Sequence, residues 1–281
     1  MTIQRRKLKN KAINYIILMA VAVIMLYPLI WMVFASFKNN QEIFQAALIP
    51  SKWTLSGYIN GWKGSGQYTY ATFFKNTFLM VLPMVLFTVI SASFVAFGFA
   101  RFQFWGKKVF FAIMMACMML PNAVMIIPRY IMFKDMGWLN SYLPFIIPCI
   151  FGGGSFFIFM FMQFFRGIPR ELDESAYVDG CSAFMVYLRI VMPLAKPAVF
   201  SAMIFQFMWS WNDFFGPLLY INSVGKYPLA LGLRMSMDVN MSVSWNNILA
   251  MAIVSVLPLI VLFFTAQKYF VEGVAATGIK G

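Results

Sequence analysis

The sequence predicts an all-α protein that crosses a membrane six times, and three observations favour this fold class. Hydrophobic residues make up 62% of the 281 residues and charged residues only 11%, whereas soluble domains have about 45–50% apolar and about 25% charged residues. Six apolar segments approach or exceed the roughly 20 residues that a spanning helix needs. The basic residues are also distributed unevenly between the polar segments.

The predicted spans follow the apolar runs in order. The first follows a basic start with Arg5, Arg6, Lys7, Lys9 and Lys11. It is expected to be retained, because it exceeds the roughly 7–15 apolar residues of a signal peptide and lacks a small-residue cleavage site. The spans lie at about 12–37, 76–99, 109–128, 142–165, 198–220 and 246–267, within a single transmembrane domain over residues 1–281.

Positive charge predicts the orientation. With the N-terminus inside, the four inside segments hold 14 of the 22 Lys and Arg residues, and the longer outside segments at 35–75, 129–141 and 221–244 hold eight. Cytoplasmic loops of membrane proteins are enriched in Lys and Arg. Both termini are therefore expected in the cytoplasm, and the net charge of +13 does not indicate nucleic-acid binding.

Several enzyme classes lose support from the composition. Histidine is absent, which removes the commonest general base and metal ligand. Cys117, Cys149 and Cys181 lack metal or redox spacing and are interpreted as structural. The phosphate-binding pattern G-x-x-x-x-G-K-[ST] does not occur. The chain is predicted not to be an enzyme, and to bind neither a metal nor a cofactor.

The longest polar segment on the inside, residues 166–193, holds four of the nine acidic residues. Those at 171–174 suit the first turns of a helix, whose dipole favours anions, and Gly180 permits a sharp turn after it. A second short helix, with Ser182 as N-cap, has four apolar residues at helical spacing: Phe184, Tyr187, Leu188 and Val191. The spacing alone fits either an interfacial anchor or a docking element for another protein.

This segment resembles the loop of binding-protein-dependent ABC importer permeases that carries the motif E-A-A-x3-G-x9-I-x-L-P. The matching positions are Glu174, Ser175, Ala176, Gly180, Ile190, Val191, Met192 and Pro193. Two of them depart from the motif, since Ser175 replaces the second Ala and Met192 replaces Leu.

Other segments resemble the carbohydrate, maltose-type branch of the same family, in particular the second, short permease of a heterodimeric pair. They are Tyr27–Trp31, Arg101–Phe102, Trp209–Phe214 and the tail Gly273–Gly281. The resemblance implies a type I ABC importer permease fold in a prokaryotic plasma membrane, with this chain forming half of the translocation pathway.

The resemblance also implies partners and site residues. A coupling helix would bind a cytoplasmic ATPase through Glu174, Ser175, Ala176, Asp179, Gly180, Ile190 and Pro193, and the tail would contact it through Gly273, Thr277 and Gly278. Two ATPase subunits would use ATP and Mg²⁺. The other partners implied are a second homologous permease, an extracytoplasmic solute-binding protein, a carbohydrate substrate and membrane lipid, with no nucleic acid.

Polar residues within the spans are the candidates for the pathway, because their amides can hydrogen-bond hydroxyl groups and because an ionisable group within a span is a functional candidate by default. They are Asn122, Gln206, Asn212 and Asp213. Asp213 fits either a structural role at a helix end or a gate contact, and Trp209 fits core or lipid contact better than sugar stacking.

Two alternative functions stay open from the sequence. One is an ABC permease for another solute, such as a peptide or an osmolyte. The other is a secondary transporter, which is disfavoured because such proteins normally show an inverted repeat or paired intramembrane acids.

Overall fold

The computed structural model describes the backbone of residues 3–64, 67–237 and 243–278, and the side chains of 11–64, 67–237 and 243–267. These residues form an all-helical chain, so the predicted fold class is confirmed. The α-helices are α1 Ile3–Ser36, α2 Ser56–Lys63, α3 Tyr70–Arg101, α4 Lys107–Met119, α5 Asn122–Asp135, α6 Leu143–Ile150, α7 Ser155–Arg166, α8 Glu171–Val178, α9 Ala183–Val186, α10 Met192–Leu194, α11 Lys196–Trp211, α12 Phe215–Tyr220, α13 Leu229–Met235 and α14 Trp245–Gly278.

Four apolar helical segments in the described chain are long enough to cross a membrane. They are Lys11–Ser36, Tyr70–Arg101, Leu143–Arg166 and Trp245–Gln267. Two further segments are bent pairs, α4 with α5 at 103° and Ala183–Leu194 with α11 at 78°. Counting each pair as one span gives six. The bilayer boundaries along these helices stay a prediction.

Three of the predicted spans contain an interruption of the helix. The span at 109–128 breaks before Pro121, which lies in extended conformation at the start of α5. The span at 142–165 breaks where Gly152, Gly153 and Gly154 all have positive φ angles, a conformation that glycine adopts without steric cost. The span at 198–220 breaks between Trp211 and Phe215, where α11 ends and α12 begins.

The chain divides into two compact units. The first comprises Met1–Tyr70 and Leu233–Leu257, and its centre is the predicted outside segment after α1. Lys38 is 1% exposed and donates its ammonium to the Ala47 carbonyl. A Cβ at Gly57 would lie 2.7 Å from the Asn246 carbonyl oxygen, so α2 packs closely on the start of α14. This segment therefore folds against its own chain.

The second unit comprises Ala71–Gly232 and Pro258–Gly281. Its core cluster joins α3, α7 and the chain from α9 to α11. The members that are 0% exposed are Ala92, Ala96, Phe161, Met162, Phe165, Val186, Val191, Ala195 and Ala202. Small residues let helix backbones approach closely in lipid, and Ala92 and Ala96, one turn apart on α3, are buried in this cluster.

Candidate functional site

The segment after α7 folds as two short helices joined by a tight turn. Three acidic residues occupy the first turn of α8, starting at Glu171, where the helix dipole stabilises negative charge. Gly180 has a φ angle of 82°, and the Cys181 N–H donates to the Ala176 carbonyl at 2.9 Å. Ser182 accepts a hydrogen bond from the backbone three residues later, so the predicted turn and N-cap are both confirmed.

A buried ion pair holds the start of this loop on the C-terminal end of α3. Arg101 Nε lies 2.7 Å from Asp173 Oδ2, with 5% and 8% of the two side chains exposed. Arg101 also donates to the Ile168 carbonyl at 3.1 Å, and Arg170 donates to the Ala100 carbonyl at 3.4 Å. Burial raises the pKa of the Asp173 carboxyl, and the nearby Arg101 and Arg170 guanidinium groups oppose that shift. Separating these charges is costly, because each would be left buried without a partner.

Beyond this ion pair the loop presents an exposed surface of mixed chemistry. Glu174 and Asp179 are exposed acids. Three large apolar side chains accompany them, with exposed fractions of 87% for Val178, 58% for Phe184 and 54% for Leu188. We call these five residues the loop surface. Large apolar groups exposed beside a polar rim are typical of a contact with another protein or a membrane.

The apolar face predicted for the second helix of the loop is divided in the structure. Tyr187 and Val191 are buried, whereas Phe184 and Leu188 are exposed. A π-helical turn covers Tyr187–Val191, an irregularity that the periodicity of an α-helix does not predict. The Tyr187 hydroxyl lies 2.8 Å from the Ser93 hydroxyl on α3, so this turn also packs on α3.

The remaining predicted coupling residues of the loop differ in their burial. Ala176 is buried, and Ile190 packs against the core cluster. Ser175 donates its hydroxyl to the Leu172 carbonyl at 3.0 Å, and Pro193 is exposed within α10. Gly273, Thr277 and Gly278 of the predicted tail contact belong to the end of α14, while residues 279–281 lie outside the described residues.

A cavity of about 760 Å³ lies within the second unit. It brings together three of the four predicted pathway residues, Asn122, Gln206 and Asp213. The fourth, Asn212, is absent from its lining and donates its amide to the Met208 carbonyl at 2.8 Å. The other lining residues are Met84, Ile126, Arg129, Met132, Phe133, Pro144, Phe145, Pro148, Cys149, Gly153, Gly154, Trp209, Ser210, Phe215, Gly216, Leu219 and Tyr220.

Two short-range hydrogen bonds orient the polar side chains of the cavity. Asp213 Oδ1 accepts the Gly216 N–H at 3.0 Å, at the beginning of α12. Gln206 donates its amide to the Ser210 hydroxyl at 2.9 Å, one turn later on α11. Asp213 is thus a helix-end partner whose side chain also lines the cavity, while the gate contact stays a prediction.

Sequence reasoning misses three groups that the structure makes prominent. Arg129 lines the cavity, although the sequence indicates only an outside charge. The Arg101–Asp173 pair brings together residues 72 positions apart, and no local spacing indicates it. Asn140 has a φ angle of 56°, and its side-chain oxygen accepts the Ser223 N–H at 3.0 Å. It thereby joins two of the predicted outside segments.

An all-α chain with long apolar helices, a cavity at interrupted helices and a loop anchored beneath them has the features of a membrane transport subunit. Residues 84–276 match the family described as "Binding-protein-dependent transport system inner membrane component". The match covers more than half of the chain, and the chain belongs to this family.

Similar proteins extend the match over most of the chain. It is 31% identical over 256 residues to "Probable ABC transporter permease protein YurM" of Bacillus subtilis (strain 168), covering 91% of this chain and 84% of that protein. It is 30% identical over 267 residues to "Arabinooligosaccharides transport system permease protein AraQ" of the same organism, covering 94% and 93%.

A solved structure shares the fold. The chain superimposes with a TM-score of 0.84 and 22% identity on a chain from "Crystal structure of a bacterial ABC transporter involved in the import of the acidic polysaccharide alginate". The alignment covers 96% of this chain and 99% of that one. The predicted ABC importer permease fold is confirmed, and the protein is a multi-pass membrane permease component.

Proposed function

We propose that this chain forms half of the translocation pathway of an ATP-driven carbohydrate importer and couples to a separate ATPase through residues 166–193. The loop surface carries the proposal, because it exposes acidic and apolar groups on a loop that a buried ion pair fixes to α3. Family membership supports the importer class, and the relative named for arabinooligosaccharide transport supports the carbohydrate class. The cavity adds amide, hydroxyl and indole groups that suit sugars.

Contacts within the second unit support a mechanism for the proposed coupling. Glu174 pairs with a basic residue of the ATPase, and the apolar groups of the loop surface fill a cleft beside it. When ATP draws the ATPase subunits together, the loop is displaced, and the Arg101–Asp173 pair passes this displacement to α3. α3 lines the cavity with Met84, so a rigid-body shift of α3 changes the shape of the pathway.

The complete importer contains more than this chain. Its other parts are a second homologous permease, two cytoplasmic ATPase subunits and an extracytoplasmic solute-binding protein, which docks on the segments at 35–75, 129–141 and 221–244. The ATPase subunits bind ATP and Mg²⁺, while this chain binds no cofactor and hydrolyses nothing. Both termini lie in the cytoplasm of a prokaryotic cell, the end of α14 contacts the ATPase, and this chain is the second, short permease of the pair.

Charge reversal at Glu174 tests this function. Cells that lack the native chain are complemented with the wild type, Glu174→Lys or Glu171→Lys, and uptake of labelled arabino-, malto- and galacto-oligosaccharides is measured. Glu174→Lys is expected to abolish uptake while the permease pair still purifies as a complex. Glu171→Lys makes the same charge change one turn earlier on the exposed side of α8 and retains most uptake. Normal uptake with Glu174→Lys disproves the coupling role, and wild-type uptake of peptides or osmolytes alone disproves the carbohydrate assignment.

A further inference from the structure

Three interruptions of the predicted spans border the same cavity. Asn122 follows the break between α4 and α5, Gly153 and Gly154 form the break between α6 and α7, and Asp213 follows the end of α11. Non-helical backbone at membrane depth is tolerated where it is buried in protein or lines an aqueous cavity. A single interruption has a local cause, whereas three that meet at one cavity indicate a place built to receive a polar ligand.

The surroundings of the glycine break are packed firmly. A Cβ at Gly153 would lie 2.8 Å from the Thr88 Cα on α3. Ser91, one turn further along α3, donates its hydroxyl to the Cys149 carbonyl at 2.6 Å. Helix α3 therefore packs closely against the break at Gly153 and donates a hydrogen bond to a backbone carbonyl near it. These contacts fix the position of the interruption.

The charges of the cavity lining balance. Arg129 and Asp213 are its charged side chains, and in the described part of the chain they form no ion pair with each other. The other polar side chains are neutral: Asn122, Gln206, Ser210 and the Tyr220 hydroxyl. A ligand with a net charge is attracted by one of these two side chains and repelled by the other, so no net attraction offsets the loss of its hydration. An uncharged, hydroxyl-rich ligand meets donors and acceptors of both kinds.

Trp209 supplies an apolar wall. Its side chain lines the cavity and is half-exposed, with Phe156 and Phe157 ring centroids 5.0 and 5.4 Å from its own. The negative face of an indole attracts positively polarised C–H groups, which cover the faces of sugar rings. The sequence favours core or lipid contact for Trp209, whereas its position in the cavity favours ligand contact instead.

We propose that this chain itself holds a binding site for a neutral saccharide in this cavity. Asn122 and Gln206 hydrogen-bond its hydroxyl groups, and Trp209 packs on a ring face. The opposite charges of Arg129 and Asp213 give the cavity no net attraction for uronic acids, which disfavours them against neutral sugars. The volume of about 760 Å³ lies within the range of about 300–1,000 Å³ typical of small-molecule sites. The inference rests on the proposed carbohydrate function. It adds that this subunit itself binds the sugar and that the sugar is uncharged.

Substrate protection of an introduced cysteine tests the site in the assembled transporter. Asn122→Cys is made after Cys117, Cys149 and Cys181 are replaced by Ala, and the rate of labelling with N-ethylmaleimide is measured. The probes are maltotriose, arabinotriose and trigalacturonate. The neutral trisaccharide that the wild type imports, at ten times its dissociation constant, is expected to slow labelling about tenfold. Trigalacturonate leaves the rate unchanged.

Met119→Cys is the matched control, since Met119 ends α4 beside the same break, is 82% exposed and does not line the cavity. Its labelling stays unaffected by every sugar.

A second variant, Trp209→Ala, is expected to raise the KM of uptake about tenfold or more with little change in maximal rate, the pattern of lost uniform binding. Uptake of neutral sugars without protection at position 122, or equal protection by trigalacturonate, overturns this inference and leaves the proposed function standing. Absence of any saccharide uptake by the wild type overturns the proposed function instead.

Discussion

The loop surface and the cavity are both built at interruptions of helices, yet their side chains face opposite environments. In the loop, the turn at Gly180 is open, since a Cβ there would meet nothing within 4 Å. In the cavity, Gly153 presses against α3, with a Cβ position 2.8 Å from the Thr88 backbone. A helix interruption at the protein surface leaves its side chains exposed and available for contact with another protein. An interruption that packs against a neighbouring helix on one side can form a concave site on the other side.

The two regions share one structural support, helix α3. Its C-terminal residue Arg101 holds the loop through Asp173, and its middle packs behind the cavity at Thr88. A continuous helix links two points 13 residues apart with a rise of about 1.5 Å per residue, or roughly 20 Å. Different substitutions along α3 and its neighbours therefore separate coupling from binding.

The largest effect is expected from removing the anchor of the loop. Asp173→Ala leaves Arg101 buried without its counter-charge and should destabilise the fold by about 3–5 kcal/mol. Asp179→Ala removes an exposed acid of the same loop and should change stability by no more than about 0.5 kcal/mol. Thermal unfolding of the purified transporter measures the difference. Equal unfolding midpoints for the two variants contradict the anchor.

A somewhat smaller effect is expected at the break behind the cavity. Gly153→Ala combines a positive φ angle of 62° with overlap against the Thr88 backbone. Together these should cost about 2–4 kcal/mol. Gly98→Ala on the same helix that supplies Thr88 has open space and should be neutral or stabilising by up to about 1 kcal/mol. Unfolding midpoints compare the pair, and a neutral Gly153→Ala shows that the close approach is not maintained.

The smallest effect on stability is expected at the turn of the loop. Gly180→Ala meets no steric obstacle but keeps a φ angle of 82°, a strain of about 1–2 kcal/mol. Gly137→Ala imposes the same kind of strain at a φ angle of 68°, also in open space. The two variants should unfold alike, but only Gly180→Ala should reduce sugar uptake per ATP hydrolysed. Equal coupling ratios for the two contradict a role for the bend in coupling.

The sequence predicts the structure of the loop at 166–193 better than that of the cavity, for a physical reason. The bend of the loop depends on local chemistry, namely acids at a helix start, Ser182 as a cap and Gly180 at a left-handed position. These signals lie within a dozen residues and can be seen directly in the chain. The π-helical turn at Tyr187–Val191 is the exception, because no local signal indicates it and its Tyr187 hydroxyl contacts Ser93 on a distant helix.

The cavity depends on contacts between distant segments, and the sequence predicts it only in part. Polarity within apolar runs marks Asn122, Gln206 and Asp213, and the structure brings these three together. The same criterion also selects Asn212, which points to its own helix backbone instead. This criterion does not select Arg129, because a charged residue near the end of a span has the same sequence pattern whether it faces solvent or a cavity.

The exposed apolar groups at Val178, Phe184 and Leu188 have a consequence for the cell before any sugar is moved. Under the coupling role proposed above, a chain without its ATPase partner would expose these groups to the aqueous compartment, and chaperones and proteases act on unstable or incompletely assembled proteins. We therefore expect the number of assembled importers to follow the scarcer subunit.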